Sequence, residues 1–540
     1  MGPLFFLALA FAAVGSRLGA ATPWALSVLA LLGTGWAGYA STKATSHLPV
    51  VVVFFTAMVL LNVSVLSPAY SPAALYQPLL LLAAFFVVRH LSQRSERDAA
   101  TAASLLCAAL AAWGLYEVSL RGLARAQALF ETPATFSAVI NLALVPLLAF
   151  LSVGVRHRVT IGGIALLSAA IFAAQSRGAL LAIAGGLGIG VILALRGRCC
   201  RARGLAIVFA ALAVGWGLAT ALRAMPAAHT EVGPRPMDRA ASSLSRLELS
   251  ALSWNAWKEH PILGTGYLTY RYTLEQGRSQ VPSYGASSET WFVHNDYLQM
   301  LQEMGPVGLV ALLGLTLLPL LLAYRQLPGL VAEGRPAVIA IGAGIAAMSV
   351  HALVDFPFYV PICLLLYGAL LGALDRRLTD TATRKALMWR RSPLLRVARA
   401  GALTLAVFIL LRPVAAEAAA EWGLRMAASG DGRAAATWLG AARRIEPRDW
   451  RYHWYAGQFW IAQAGQSGRR EAAKLAADAF AAGYAANPLE VKNLLGRIAV
   501  HRHYGQLLDE PADHTTLQQW IAHAATLAPM NAEVRRELAR

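Results

Sequence analysis

Three side chains in this sequence combine a reactive type with a suggestive position: His294, Arg246 and Arg177. An imidazole exchanges protons near neutral pH. Guanidinium groups stay charged and match phosphate oxygens two at a time. Brought together, the three would make a proton acceptor beside an anion site. Each also has a plainer reading, and the choice depends on the segments that carry them.

His294 lies in the stretch WFVHNDYLQMLQEMGPVG, residues 291–308, which leads into the apolar segment 307–323. Leu298 and Leu301 follow at helical spacing, and Asn295 or Asp296 is placed to cap the helix. Gly305 and Gly308 permit close helix contact. Taken alone, the histidine reads as a structural residue at a water–lipid boundary. Arg177 sits in QSRGALL, residues 175–181, with Ser176 before it, at the mouth of an apolar helix. It either snorkels to the interface or marks a site at a span end, and the two readings weigh evenly. Arg246 opens a helical stretch with Trp254 and Trp257 that Pro261, Gly264 and Gly266 then break. It is either the water-facing charge of a surface helix or an arginine aimed at an anion. Gly264-Thr265-Gly266 is too short to cradle a phosphate alone.

The elements that position these residues belong to a membrane protein. Of 540 residues 57% are apolar and 14% charged, against about a quarter charged in soluble domains. Apolar runs near spanning length recur, at 3–16, 23–41, 49–67, 76–88, 101–116, 136–154, 159–174, 179–195, 204–224, 305–324, 336–354, 359–374 and 398–414. The predicted class is therefore all-α: a polytopic bundle of about 12–13 spans, followed by a helical-repeat domain. The net charge of +18 comes from basic clusters at 89–97, 156–158, 196–203, 325–335 and 376–399, which these spans place on one side. That side is the cytoplasm, and the charge is a positive-inside excess rather than a nucleic-acid surface. The amino terminus is then cytoplasmic, and the first run, which lacks a basic start, reads as an uncleaved span. The four cysteines, Cys107, Cys199, Cys200 and Cys363, imply no disulfide framework and no metal cluster.

The spans divide the chain into an N-terminal bundle, 1–224; a large outer-face loop, 225–304; further membrane helices, 305–414; and an outer-face tail, 415–540. The loop holds Trp254, Trp257, Tyr267, Tyr270, Tyr272, Tyr284 and Trp291, too aromatic for a disordered linker. The Ala-rich tail carries Pro447, Pro488 and Pro529, spaced 41 residues apart, each ending a helical run. The pattern resembles degenerate tetratricopeptide repeats, whose period is about 34 residues, so insertions are implied. With this topology Arg177, Arg246 and His294 share one face of the bilayer.

Together these motifs resemble the O-antigen ligase and polymerase superfamily of bacterial envelope enzymes. The resemblance rests on Ser176–Leu181, on Arg246 with Trp254, His260-Pro261 and Gly264-x-Gly266, and on His294-Asn295-Asp296-Tyr297-Leu298-Gln299 with Glu303, Gly305 and Gly308. His351-Ala-Leu-Val-Asp355-Phe-Pro357-Phe358 also resembles a segment of members with tetratricopeptide tails. It covers roughly residues 170–375. It implies an undecaprenyl-diphosphate-linked glycan donor, transfer on the periplasmic face of the inner membrane, and neither cofactor nor metal. Arg177 and Arg246 would hold the leaving diphosphate, with Arg271 and Arg278 as further donor-binding candidates. His294 would be the general base on an acceptor hydroxyl. Ser176, Asn295, Glu303 and Asp355 would support them; Glu303 and Asp355 would orient the histidine, although Asp355 reads equally well as a cap.

Three acceptors fit: lipid A–core sugar for a ligase, a second lipid-linked repeat for a polymerase, or a pilin-like protein for an oligosaccharyltransferase. Glycan transfer ranks first and protein glycosylation second. The tail's repeats offer a surface for a protein partner. A flippase for lipid-linked sugars is the competing class, but the two halves show no paired repeat and the candidate residues gather at one face.

Overall fold

The computed structural model describes residues 2–18, 21–38, 47–154, 158–224, 239–283, 291–379, 393–467 and 470–539. Tyr284 and the side chains of Arg156, Arg158 and residues 380–410 lie outside the described set. Among the described residues the chain forms twenty-one α-helices and no strand. Each predicted span falls on a helix, from Gly2–Leu18 to Pro393–Ala428. Among the described residues six helices, including Pro133–Ser152, Arg177–Arg196 and Asp296–Gly329, are long and apolar enough to cross a membrane, and five shorter apolar helices stand with them.

Lipid tails are as apolar as leucine, so membrane helices associate through close packing rather than through exclusion of water. Gly368 and Gly372, one turn apart on Pro361–Thr379, show how: a Cβ at either would collide with the carbonyl oxygens of Leu81 and Phe85 on Pro72–Arg89. Only glycine lets these two backbones approach so closely.

Basic side chains gather at one end of the bundle. Arg89 pairs with the fully buried Asp375 at 2.6 Å, and Arg376 and Arg377 both reach Glu96. Arg335 donates to the carbonyls of Gly197, Pro328 and Leu330. The opposite end carries the large loop and the tail. Tyr267 of the loop binds Asn62 through its N–H at 2.7 Å and Gln77 through its hydroxyl at 2.7 Å.

The tail is a run of helical hairpins. Gly432–Ile445, Arg470–Ala486 and His514–Leu527 are the second helices of three successive pairs, and Pro447, Pro488 and Pro529 follow them. The same turn recurs at each: Asp449, Glu490 and Asn531 donate their N–H groups to the carbonyls of Glu446, Asn487 and Ala528. The side chains of those same three residues then accept backbone N–H groups at the start of the next helix. The 41-residue spacing in the sequence is thus a repeat of backbone geometry.

Candidate active site

The helix Arg177–Arg196 begins at a sharp turn. Ser176 is its cap, accepting the Ala179 N–H at 3.3 Å, and Gln175 before it adopts φ +52°. Arg177 is therefore the first residue of the helix, exposed, at the positive end of the helix dipole. Two arginines hold the turn from behind. Arg125 donates to the carbonyls of Ala174 at 2.9 Å and Gln175 at 3.2 Å. Arg223 donates to those of Phe172 at 3.0 Å and Ala173 at 2.7 Å. These carbonyls belong to the last turn of the preceding helix, Arg158–Ala174, and to the residue after it, where the helical ladder runs out of donors.

Arg246 reaches the same place from the loop. Its helix, Arg239–Glu259, packs on the histidine-bearing helix through Leu249 and Ser253, whose hydroxyl donates to Gln302 at 2.8 Å. Arg246 lies one turn before Leu249 on that face and is half-buried. Burial, followed by the nearby charges of Arg246, Arg177 and Arg223, pushes the Arg125 guanidinium below its ordinary value. Four cations converge here, an arrangement that an anion stabilises.

His294 adopts φ +62°, a left-handed conformation uncommon outside glycine and worth a functional question wherever it occurs. Asn295 follows as the helix cap and accepts the Leu298 N–H at 3.1 Å. The His294 ring is fixed on two sides: Nδ1 lies 3.1 Å from Asp355 Oδ1, and Phe356 meets the ring edge-on at 5.1 Å. A carboxylate only accepts, so Nδ1 carries the proton and Nε2 is left as the basic nitrogen. Asp355 has a second imidazole, His351, whose Nε2 lies 3.5 Å from Oδ2. Burial alone would raise the Asp355 carboxyl, but the two histidines outweigh it and hold it well below the usual carboxylate range.

The two centres touch. A Cβ at Gly178, beside Arg177, would lie 3.0 Å from Val354 and 3.4 Å from His351 Nε2. The arginine helix and the carboxylate turn are therefore packed face to face. Glu303 ties the remaining pieces: its carboxylate accepts from Tyr359 Oη at 2.7 Å, Gln299 Nε2 at 3.0 Å and the Tyr270 N–H at 3.2 Å.

Gly305 departs from its expected role. It does not seat a helix against a helix; at φ +66° and ψ −167° it breaks the helix Asp296–Gln326, at a point where a Cβ would collide with the carbonyl oxygen of Ile262. Pro306 has no N–H for the Gln302 carbonyl. Thr265 N–H supplies it at 2.9 Å, and Gly266 N–H serves Glu303 at 2.9 Å. The Gly264–Gly266 turn is therefore a splint for the broken helix.

Arg271 and Arg278, the further donor-binding candidates, have partners of their own. Arg278 is buried against Glu275 at 2.7 Å. Arg271 is stacked between Tyr272 and Trp291, at 4.4 and 4.6 Å, and lies 4.0 Å from Glu490 of the tail. Sequence reasoning did not single out Arg125 or Arg223, and it met His351 only as part of the segment 351–358, with no role given to it. An arginine in a short loop carries no local sign of the carbonyls it will meet some fifty positions later.

Residues 162–313 match a family model described as O-antigen ligase. The match contains Arg177, Arg246 and His294 and stops short of His351, Asp355 and the tail. It supports placement in the O-antigen ligase family, and with it a membrane glycosyltransferase-type function in polysaccharide biosynthesis. No curated protein matches the chain.

Proposed function

We propose that this protein transfers glycan from an undecaprenyl-diphosphate-linked donor to an acceptor hydroxyl at the periplasmic face of the bacterial inner membrane. The observation that carries the reading is the packing of the His294–Asp355 pair against the helix that presents Arg177. A glycosyl diphosphate departs as an anion. Fixed guanidinium groups at a membrane boundary, away from bulk water, stabilise that charge as it develops. Arg177 and Arg246 hold the diphosphate, and His294 Nε2 takes the acceptor proton as the hydroxyl oxygen attacks the anomeric carbon. The glycosidic bond to the acceptor forms as the bond to the diphosphate oxygen breaks, and in this reading the guanidinium groups take the charge-stabilising part that a divalent cation could otherwise play. The basic end of the bundle, opposite the site, supports the periplasmic assignment.

Glycan acceptors, a core lipid or a second lipid-linked repeat, rank first. A protein acceptor ranks second, favoured by the tail, whose hairpins we read as degenerate tetratricopeptide repeats, seated on the loop that borders the site. The test is a transfer assay with purified protein in detergent, using a polyprenyl-diphosphate-linked oligosaccharide and each acceptor class in turn. The expected result is product from one class, with the polyprenyl-monophosphate analogue inactive. Equal use of both donors would contradict the role given to the arginines.

A further inference from the structure

The helix Pro361–Thr379 has two unlike sides. Gly368 and Gly372 press one side onto Pro72–Arg89. On the other, Ala369 and Ala373 line a cavity of about 250 Å³ shared with the helices Gln93–Ser119, Pro133–Ser152 and Arg335–His351. Ala100, Ala103 and Ser104 of Gln93–Ser119 line it too. Small residues on neighbouring membrane helices ordinarily let the backbones meet. Here they leave space instead, walled by apolar side chains such as Leu147 and Phe150. An apolar void of roughly 150 Å³ already stays dry and takes up benzene, and unfilled space in a packed interior is destabilising. The cavity therefore suits an apolar occupant.

Its length and its charged end narrow the choice. The lining runs eleven positions on each of two helices, from Glu96 to Cys107 and from Leu366 to Arg377. At about 1.5 Å per residue that is roughly 16 Å, half of the ~30 Å hydrocarbon core of a bilayer. The cavity is as deep as one leaflet. Its charged end is the basic end of the bundle, where Glu96 accepts from both Arg376 and Arg377, one carboxylate between two guanidinium groups. Arg377 spends Nη1 on Glu96 and on the Ala373 carbonyl at 3.2 Å; among the described residues its Nε and Nη2 meet no partner. Arg94 and Arg97, exposed on the same helix as Glu96, add positive charge, and Asp98 offsets one of them.

An apolar slot one leaflet deep, with a cationic lip at headgroup level, matches a lipid that joins an acyl chain to an anionic phosphate. We propose that this cavity binds an anionic phospholipid from the leaflet at the basic end of the bundle. One acyl chain lies between the helices, and the phosphate rests on Arg377. The bound chain fills the space that the alanines leave and ties Gln93–Ser119 to Pro361–Thr379. The site is separate from the one around His294 and does not rest on the glycan-transfer reading.

Native mass spectrometry of the full-length protein tests this, after titration in detergent with dioleoyl phosphatidylglycerol or dioleoyl phosphatidylcholine. Wild type should hold a single phosphatidylglycerol and prefer it to phosphatidylcholine. Its thermal midpoint should rise with phosphatidylglycerol and not with inorganic phosphate, which has no chain for the cavity. Ala103→Phe fills the cavity and should lower the bound fraction several-fold and abolish that rise. Ala210→Phe, at an exposed position of the helix Ala202–Ala224, should bind like wild type. Should Ala103→Phe fail to fold, Ala100→Leu replaces it. Arg377→Gln should cut the preference for phosphatidylglycerol about five-fold, the factor one basic residue is worth at a headgroup. Equal binding of the two lipids by wild type overturns the proposal. So do an Ala103→Phe variant that binds like Ala210→Phe, an unchanged preference in Arg377→Gln, and an isoprenoid phosphate held in place of a diacyl lipid.

Discussion

A proton acceptor has to be held as well as present, and Asp355 holds His294 through a hydrogen bond of 3.1 Å. Asp355→Asn keeps the shape of that contact and removes the charge. Transfer should fall by about two to four orders of magnitude, the usual contribution of a positioned base. Wild-type transfer by the variant would show that Asp355 does not act through His294. The sign for stability follows from the depressed Asp355 carboxyl. Such a group stabilises the fold above its unfolded value, ~3.9, and the contribution disappears only as pH falls through the lower folded value. The carboxylate therefore stays charged through mild acid. At this scale the sequence was partly legible. Ser176 and Asn295 declare themselves because short oxygen-bearing side chains before an apolar helix are caps. The contact between His294 and Asp355 spans 61 positions, and nothing local in either segment announces it. The partners of Arg125 were hidden for the same reason.

Two helix breaks position the site. Gln175 and His294 both take positive φ immediately before a capped helix start. The chain turns sharply there and leaves the residue at the turn facing outward. Gly305 is the third special position, and the splint from Thr265 and Gly266 depends on it. Gly305→Ala puts a Cβ onto the Ile262 carbonyl in backbone space that only glycine occupies comfortably. Strain alone costs about 1–3 kcal/mol, and the collision adds to it. The thermal midpoint in detergent should fall measurably, with transfer reduced because His294 and the Gly264–Gly266 turn share one scaffold. A variant as stable and active as wild type would show that the break is incidental. The sequence displayed the glycines and the prolines but not their pairing. Helical spacing on both sides of Gly305 reads as one helix until the backbone partner of residue 302 is sought.

Across the whole molecule, the tail and the large loop lie on one face and grip each other. Asn487 Nδ2 donates to Tyr272 Oη at 2.7 Å, Arg271 bridges Tyr272 and Trp291, and Trp291 stands three residues before His294. Burial raises the Tyr272 phenol to about 12, so it stays a neutral partner throughout the working range. Arg448 of the tail lies over the Tyr70 ring at 4.4 Å, and Tyr70 reaches Glu446 at 3.3 Å. Asn487→Leu should loosen this contact and speed amide hydrogen exchange in residues 270–276 several-fold while the tail's own helices stay protected. Unchanged exchange would sever the tail from the site. Fold class was the most legible property of all, because apolar runs of spanning length and a 41-residue spacing of prolines survive any rearrangement of detail. What the tail touches was illegible, since that depends on which face of each hairpin is turned inward.

The central claim is a division of labour between the arginines and the histidine, and separate measurements of donor binding and transfer on one set of variants test it. With a polyprenyl-diphosphate-linked oligosaccharide, His294→Ala should bind donor within a few-fold of wild type and transfer nothing above background. Arg177→Ala and Arg246→Ala should lose binding by an order of magnitude or more. Wild-type transfer by both His294→Ala and Arg246→Ala, or donor binding indifferent to both arginines, would contradict the account.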